Sequence, residues 1–182
     1  MVGTRIKLFH RLLFLCSFAV ITLVGIVYGG GSGASTEGTC DSADAETYYF
    51  VTDAYSRQNL RPYVHVVWEN IVSELKRTGI ESPSISKDDV ALVVADLNDD
   101  GRKDIIAIVA RSMLFCGKLG RECSPFIFVS TDKGFRRVEC CMNVNWEDFP
   151  IQILKQKNHG LRDMVLNCRF LVRFDGDHYC DQ

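Results

Sequence analysis

The residues with the clearest chemical pattern lie in the nine-residue stretch from 96 to 104. Oxygen-bearing side chains stand at its first, third, fifth and ninth positions, which are Asp96, Asn98, Asp100 and Asp104. Calcium takes about six to eight oxygen ligands, and alternate residues of a tight loop point inward, so this spacing gathers the oxygens around one centre. Gly101 permits a sharp turn, and Arg102 would add its backbone carbonyl. We therefore predict a calcium site formed by these four side chains and Arg102.

The same loop lacks two features of an EF-hand. Ala107 stands at the twelfth position, where an EF-hand has glutamate, and the flanking residues predict strands rather than helices. The alternative to an ion site is a polar hairpin turn that binds nothing. If an ion binds, we expect a structural role, because a bound cation relieves the repulsion between neighbouring carboxylates.

The stretch from Val94 to Ile106 resembles the calcium loop of the FG-GAP or VCBS type, which is best known from integrin alpha-chain propellers. In those propellers the loop occurs in several blades, whereas here it occurs once in a chain too short for a propeller. The order of features is more similar to a group of small exported proteins of Gram-negative bacteria. The shared features are the loop from Cys116-Gly117 to Cys123, the strand Leu161–Val165 and the hairpin Arg173–Gly176. The resemblance covers roughly residues 90 to 179 and implies no established activity.

Cysteine is frequent, with 8 in 182 residues. Cys116 and Cys123 flank a short polar loop, and we predict a disulfide that closes it. A zinc site or two reactive thiols are the alternatives, although the spacing is not that of a zinc ribbon. Cys168 could meet Cys140 or Cys141 across a sheet, and Cys40 and Cys180 are candidates for a bond between the ends of the domain.

The N-terminus predicts export. Basic residues precede an uncharged apolar run of 17 residues, Leu12–Tyr28, and a glycine-serine tract follows. Residues 1–34 therefore form either a cleaved signal peptide or an N-terminal membrane anchor. Residues 35–182 carry 18 basic and 23 acidic residues, a net charge of −5, and seven cysteines. We expect this part to be periplasmic or secreted, or to face the periplasm from an inner-membrane anchor at residues 12–28.

The elements that would position the loop predict an α+β fold. One helix is expected at residues 43–57, and a second follows from Leu60, Val64, Val67, Ile71 and Leu75, which recur on one helical face before Gly79. Seven or eight short strands follow. We expect residues 35–182 to form one domain, in which two N-terminal helices pack on an antiparallel sheet of about seven short strands.

Composition and motifs exclude several classes of protein. The chain is 47% hydrophobic and 24% charged, which excludes a disordered or multi-span membrane protein, and its net charge of −2 gives no support for nucleic-acid binding. No catalytic motif occurs in it. We therefore expect an exported, calcium-binding and disulfide-stabilised interaction module with an unknown protein or envelope partner. The alternatives are a membrane-anchored structural envelope protein or an unrecognised hydrolase.

Overall fold

The computed structural model describes residues 43–80 and 84–181. The expected signal peptide or anchor at residues 1–34 lies outside the described residues, as do Cys16 and Cys40. In the described part the chain forms one α-helix, α1 (Arg61–Thr78), one 3₁₀ turn and eleven strands. The strands are β1 (Ala45–Tyr48), β2 (Val90–Ala95), β3 (Asp104–Val109), β4 (Glu122–Cys123), β5 (Phe126–Thr131), β6 (Gly134–Cys140), β7 (Val144–Asn145), β8 (Ile151–Asn158), β9 (Leu161–Leu166), β10 (Phe170–Phe174) and β11 (His178–Asp181).

Nine of these strands form one sheet, in the order β1-β8-β9-β10-β11-β6-β5-β3-β2, and β4 and β7 pair with each other. Neighbours in the large sheet are antiparallel except β6 and β11, which are parallel. The two edges of the sheet meet, because Val51, just beyond β1, bridges Leu92 of β2 with backbone hydrogen bonds of 2.9 and 3.2 Å. The sheet is therefore nearly closed on itself.

The expected fold of two N-terminal helices on an antiparallel sheet of about seven strands is wrong. Residues 43–57 form no helix, and Ala45–Tyr48 is instead the edge strand β1, paired with β8 from Ala45↔Leu154 to Tyr48↔Ile151. The run from Thr47 to Val51 consists of aromatic and β-branched residues, which favour strands. The protein is mostly β, with a larger sheet than expected and a single helix among the described residues.

The second predicted helix is present as α1. Its buried face consists of Val64, Val67, Ile71 and Leu75, spaced by three and four residues. Pro62 lies in the first turn, and Gly79 ends the helix in a left-handed conformation with φ of 72°. No helix in the described part of the chain has the length and hydropathy of a membrane span.

The central strands are buried on both faces. Helix α1 covers one face of β2, β3 and β5, where it packs in a cluster with Leu92, Ile105 and Phe128. The opposite faces of the same strands point into the nearly closed sheet, where Val93 and Ile106 share a core with Met164 and Tyr179. Burial on both sides explains why β2 and β3, apart from Asp104 at the start of β3, are apolar instead of alternating with polar residues.

Candidate functional site

The predicted calcium loop connects β2 to β3. The two strands are antiparallel neighbours from Val90↔Val109 to Ala95↔Asp104, so residues 96–103 form the turn of a β-hairpin. The loop is therefore flanked by strands, as the sequence indicates. Asp104, the last predicted ligand, is the first residue of β3.

The carboxylate of Asp96 holds the turn together. Its Oδ2 accepts a hydrogen bond from the backbone N–H of Gly101 at 2.8 Å, and its Oδ1 accepts from those of Asn98 and Asp100 at 3.3 and 3.2 Å. Gly101 has φ of 81°, a conformation that glycine adopts without a steric cost. The first predicted ligand thus lies inside the loop, with backbone amides converging on it.

Asn98 and Asp100 lie beside each other in the same turn. The backbone N–H of Asp100 donates to Asn98 Oδ1 at 3.1 Å, and Asn98 Nδ2 donates to Asp100 Oδ2 at 3.0 Å. Asp100 Oδ1 also accepts from the backbone N–H of Arg102 at 2.8 Å. The structure therefore brings together Asp96, Asn98 and Asp100, the three residues that the spacing by two places on one side of the loop.

Asp104 has a different environment from the other predicted ligands. It is fully buried, its Oδ2 accepts a 2.7 Å hydrogen bond from the backbone N–H of Leu97, and its Oδ1 accepts one of the same length from Ser130. Burial raises the pKa of this carboxyl group, and the two backbone donors oppose that shift. Asp104 therefore connects the base of the loop to β5.

Basic side chains neutralise part of the loop's charge. Arg102 donates to Asp100 Oδ2 through Nη2 at 2.7 Å and Nε at 2.9 Å, and to Asp132 Oδ1 through Nη1 at 2.6 Å. The hydrogen bonds that Arg102 donates to Asp100 lower the pKa of this carboxyl group to about 2. On the other side, Lys157 Nζ lies 2.6 Å from Asp99 Oδ2 and donates to the carbonyl of Asn98 at 2.8 Å.

The loop fits an oxygen-ligated cation in part. It gathers three of the predicted side-chain ligands, and the fourth is engaged with backbone donors on both of its oxygens. Among the described residues, no group of three or more His, Cys, Asp or Glu side chains is arranged to hold a metal ion. A cation bound here would draw on Asp96, Asn98, Asp100 and backbone carbonyls, and it would compete with Arg102 for the carboxylate of Asp100.

Sequence reasoning missed the buried arginine that supports this loop. Arg162 on β9 is 5% exposed and donates to the carbonyl of Leu154 at 2.7 Å and to Glu46 Oε1 at 2.8 Å. Its Nη1 also reaches the carbonyl of Asp96, and its backbone N–H donates to the carbonyl of Leu97 at 2.7 Å. The signal for this role is present in the sequence, because Arg162 and Asp163 interrupt the otherwise apolar stretch from 161 to 166.

The structure joins Cys116 to Cys123, the pair that the sequence indicates, and it also joins Cys141 to Cys180. Cys180 is therefore not bonded to Cys40. Cys168 is disulfide-bonded as well, and Cys140 is the free cysteine among the described residues. Disulfides of this kind are typical of proteins in an oxidising compartment.

The histidines of the described residues occupy separate surface positions. His65 lies on α1 with Nδ1 3.1 Å from Lys87 Nζ, and His178 begins β11 with Nδ1 4.0 Å from Asp175 Oδ1. His159 lies in the turn between β8 and β9.

The chain has no match among protein-family models, curated proteins or solved structures.

Proposed function

We propose that this chain is an exported, disulfide-stabilised domain that binds calcium through the Asp96–Asp104 loop and acts by binding another molecule. The observation that carries the proposal is the convergence of Asp96, Asn98 and Asp100 in a strand-flanked turn. Carboxylate and amide oxygens are the ligands that calcium prefers. The role of the ion is structural, since it would relieve the repulsion between the carboxylates of one tight turn.

The five predicted ligands have different roles in this proposal. Asp96, Asn98 and Asp100 supply side-chain oxygens, and Arg102 supplies its backbone carbonyl. Asp104, at the ninth position, would act indirectly, because its two backbone hydrogen bonds fix the start of β3 at the base of the loop. The ion would therefore stabilise the hairpin that joins β2 and β3 without taking part in chemistry.

Binding rather than catalysis is supported by the state of the candidate reactive groups. Burial raises the pKa of the Cys140 thiol to about 11, so this cysteine is protonated and weakly nucleophilic at neutral pH. The three histidines of the described residues lie on different elements, α1, the β8–β9 turn and β11. A hydrolase of the cysteine–histidine type would need one of them beside a thiolate.

Export is supported by the disulfides together with the N-terminal sequence. The proposed location is the periplasm or the outside of the cell, with an inner-membrane anchor as the alternative if residues 12–28 are retained. Mass spectrometry of the exported protein, with and without reduction, separates these possibilities. A mass without residues 1–34 and with intact disulfides supports a released domain, whereas full-length protein in the membrane fraction supports the anchored structural protein.

Calcium binding is tested by thermal unfolding of the exported protein in chelator, in calcium and in magnesium. A ligand that binds only the folded state raises the midpoint as its concentration rises, so calcium should raise it more than magnesium does. Asp100→Asn should raise the calcium concentration that is needed for the same increase in midpoint at least about tenfold. Asp99→Asn is the matched control, because Asp99 is adjacent in the chain but pairs with Lys157. An unchanged midpoint at saturating calcium would refute the calcium site.

A further inference from the structure

The segment that leaves the sheet after β3 is held rigidly. The disulfide Cys116–Cys123 closes it, and the backbone N–H of Gly117 donates to the carbonyl of Glu122 at 2.9 Å. Trp146 Nε1 donates to the carbonyl of Gly120 at 3.3 Å, and β4 at its end pairs with β7. The segment, residues 111–123, is here called the bridged loop. Its surface is largely pre-formed, so that little conformational entropy would be lost on binding.

The bridged loop displays the two most exposed large apolar side chains of the described residues. Leu119 is 87% exposed and Met113 is 79% exposed, followed by Tyr49 at 69%, which lies outside the bridged loop. Leu119 and Met113 line the same open pocket, of about 390 Å³. Two exposed apolar residues that share a concave site are typical of an interaction surface.

The same pocket is basic within an acidic domain. Three basic side chains and one acidic side chain line it, namely Arg111, Lys118, Arg121 and Glu147. Arg121 Nε is paired with Glu147 Oε2 at 3.2 Å, which leaves Arg111 and Lys118 without an ion pair to any described residue. Residues 35–182 carry a net charge of −5, so the pocket has the opposite sign to the domain around it. Its charge is complementary to an acidic ligand.

Close packing holds Arg111 against Gly120 within the bridged loop. Arg111 has φ of 61°, an uncommon conformation for a residue with a side chain, and Gly120 has φ of 68°. A Cβ atom at Gly120 would lie 3.5 Å from the Cα of Arg111, so the two backbones are in contact. Strained backbone of this kind is found more often at functional sites than elsewhere. The contact holds the basic and apolar parts of the pocket in one arrangement.

We infer that this pocket binds a polypeptide segment in which an acidic side chain lies beside an apolar one. The acidic group would face Arg111 and Lys118, and the apolar group would contact Met113 and Leu119. A second pocket of about 410 Å³ shares Lys118, Leu119 and Arg121 with the first and is also lined by Glu122 and Asn145. Two adjoining pockets suit an extended chain, whereas insertion into an anionic lipid surface would require a convex tip. The inference rests on the proposed function, because it names the partner chemistry of the binding module.

The test uses random dodecapeptides displayed on phage and selected on the exported wild-type protein. Selection is repeated on Met113→Ser/Leu119→Ser and on Lys118→Glu, and Tyr49→Ser and Lys76→Glu serve as matched controls on exposed residues outside the bridged loop. Enriched peptides are synthesised, and their affinity is measured by fluorescence anisotropy. Vesicles of phosphatidylglycerol are tested in parallel by co-sedimentation.

The expected result is enrichment of peptides that combine Asp or Glu with apolar residues. Their affinity should fall at least about tenfold in each pocket variant, stay within about twofold in the controls and weaken with increasing salt. Peptides that bind all variants equally overturn the pocket while leaving a binding module elsewhere on the domain. Selection that enriches no peptide refutes polypeptide binding at this pocket, whereas the proposed function is tested separately by calcium-dependent unfolding. Vesicle binding that depends on Leu119, without peptide binding, replaces the polypeptide with a membrane surface.

Discussion

The carboxylate of Asp104 accepts a 2.7 Å hydrogen bond from the backbone N–H of Ser130, which lies 26 residues further along the chain. Its second oxygen accepts an equally short bond from Leu97. Because Asp104 is fully buried, these two bonds replace the water that would otherwise solvate the charge. One side chain therefore connects the 96–103 turn, the start of β3 and the end of β5.

Replacing Asp104 by alanine should lower the free energy of unfolding by about 3 kcal/mol, because two buried backbone N–H groups lose a charged acceptor. Asp104→Asn should lower it less, since the amide oxygen can still accept one of the two bonds. Urea unfolding measures both effects. The control is Asp132→Ala, whose side chain is 95% exposed and should change little. An Asp104→Ala variant as stable as the control would contradict the structural role.

The two described disulfides should stabilise the fold to different extents. Cys141–Cys180 spans 39 residues and Cys116–Cys123 spans 7. In the chain-entropy model, their loss should cost about 4 and about 2.5 kcal/mol respectively. The measurement is denaturant unfolding of the two paired Cys→Ser variants.

The longer disulfide also lies at the narrowest junction of the sheet, since β6 and β11 share only two register pairs. Hydrogen exchange at Tyr179 and its neighbours in β11 should therefore accelerate in Cys141→Ser/Cys180→Ser and stay slow in Cys116→Ser/Cys123→Ser. If Cys116→Ser/Cys123→Ser lost more stability than Cys141→Ser/Cys180→Ser, the predicted ranking of the two disulfides would be contradicted.

Helices and hairpins that depend on residues close together in the chain were predictable from sequence. The spacing of Val64, Val67 and Ile71 gives α1, and the hairpin of β10 and β11 follows from Asp175-Gly176. The aromatic and β-branched residues of β1 favour a strand only weakly on their own, because the strand β8 with which they pair lies about a hundred residues away. A short segment with a mixed pattern adopts the structure that its distant partner imposes.

In the candidate site, too, the contacts within one turn were predictable from sequence and the contacts between distant elements were not. The spacing of Asp96, Asn98 and Asp100 is sufficient to predict that their side chains meet within one turn. The partners of Asp104 and Arg162 could not be predicted, since Ser130 and Glu46 come near only when the sheet is assembled. The bond between Cys141 and Cys180 likewise depends on the parallel pairing of β6 and β11.

The free thiol of Cys140 should react slowly with iodoacetamide at neutral pH, because burial raises its pKa to about 11. An ordinary thiol has a pKa of about 9, so at pH between about 9 and 11 the unfolded chain loses this proton while the folded protein keeps it. The contribution of Cys140 to stability is therefore complete below pH 9 and is lost as the pH rises through this window. Cys140→Ser should remove this part of the pH dependence. Rapid labelling of native protein at neutral pH would contradict the buried environment.

The guanidinium of Arg102 is a cation that the protein itself places at the proposed calcium site. Arg102 contacts Asp100 Oδ2 through two nitrogen atoms at 2.7 and 2.9 Å, so its guanidinium occupies a carboxylate oxygen that the proposed calcium site requires. Arg102→Gln removes this competitor and keeps the backbone carbonyl of residue 102. Calcium affinity, measured by isothermal titration, should therefore rise about two- to fivefold, the range expected for an exposed ion pair. Arg121→Gln, which removes an exposed arginine paired with Glu147, should leave the affinity unchanged. Weaker calcium binding by Arg102→Gln would mean that the guanidinium supports the binding conformation of the loop instead of competing with the ion.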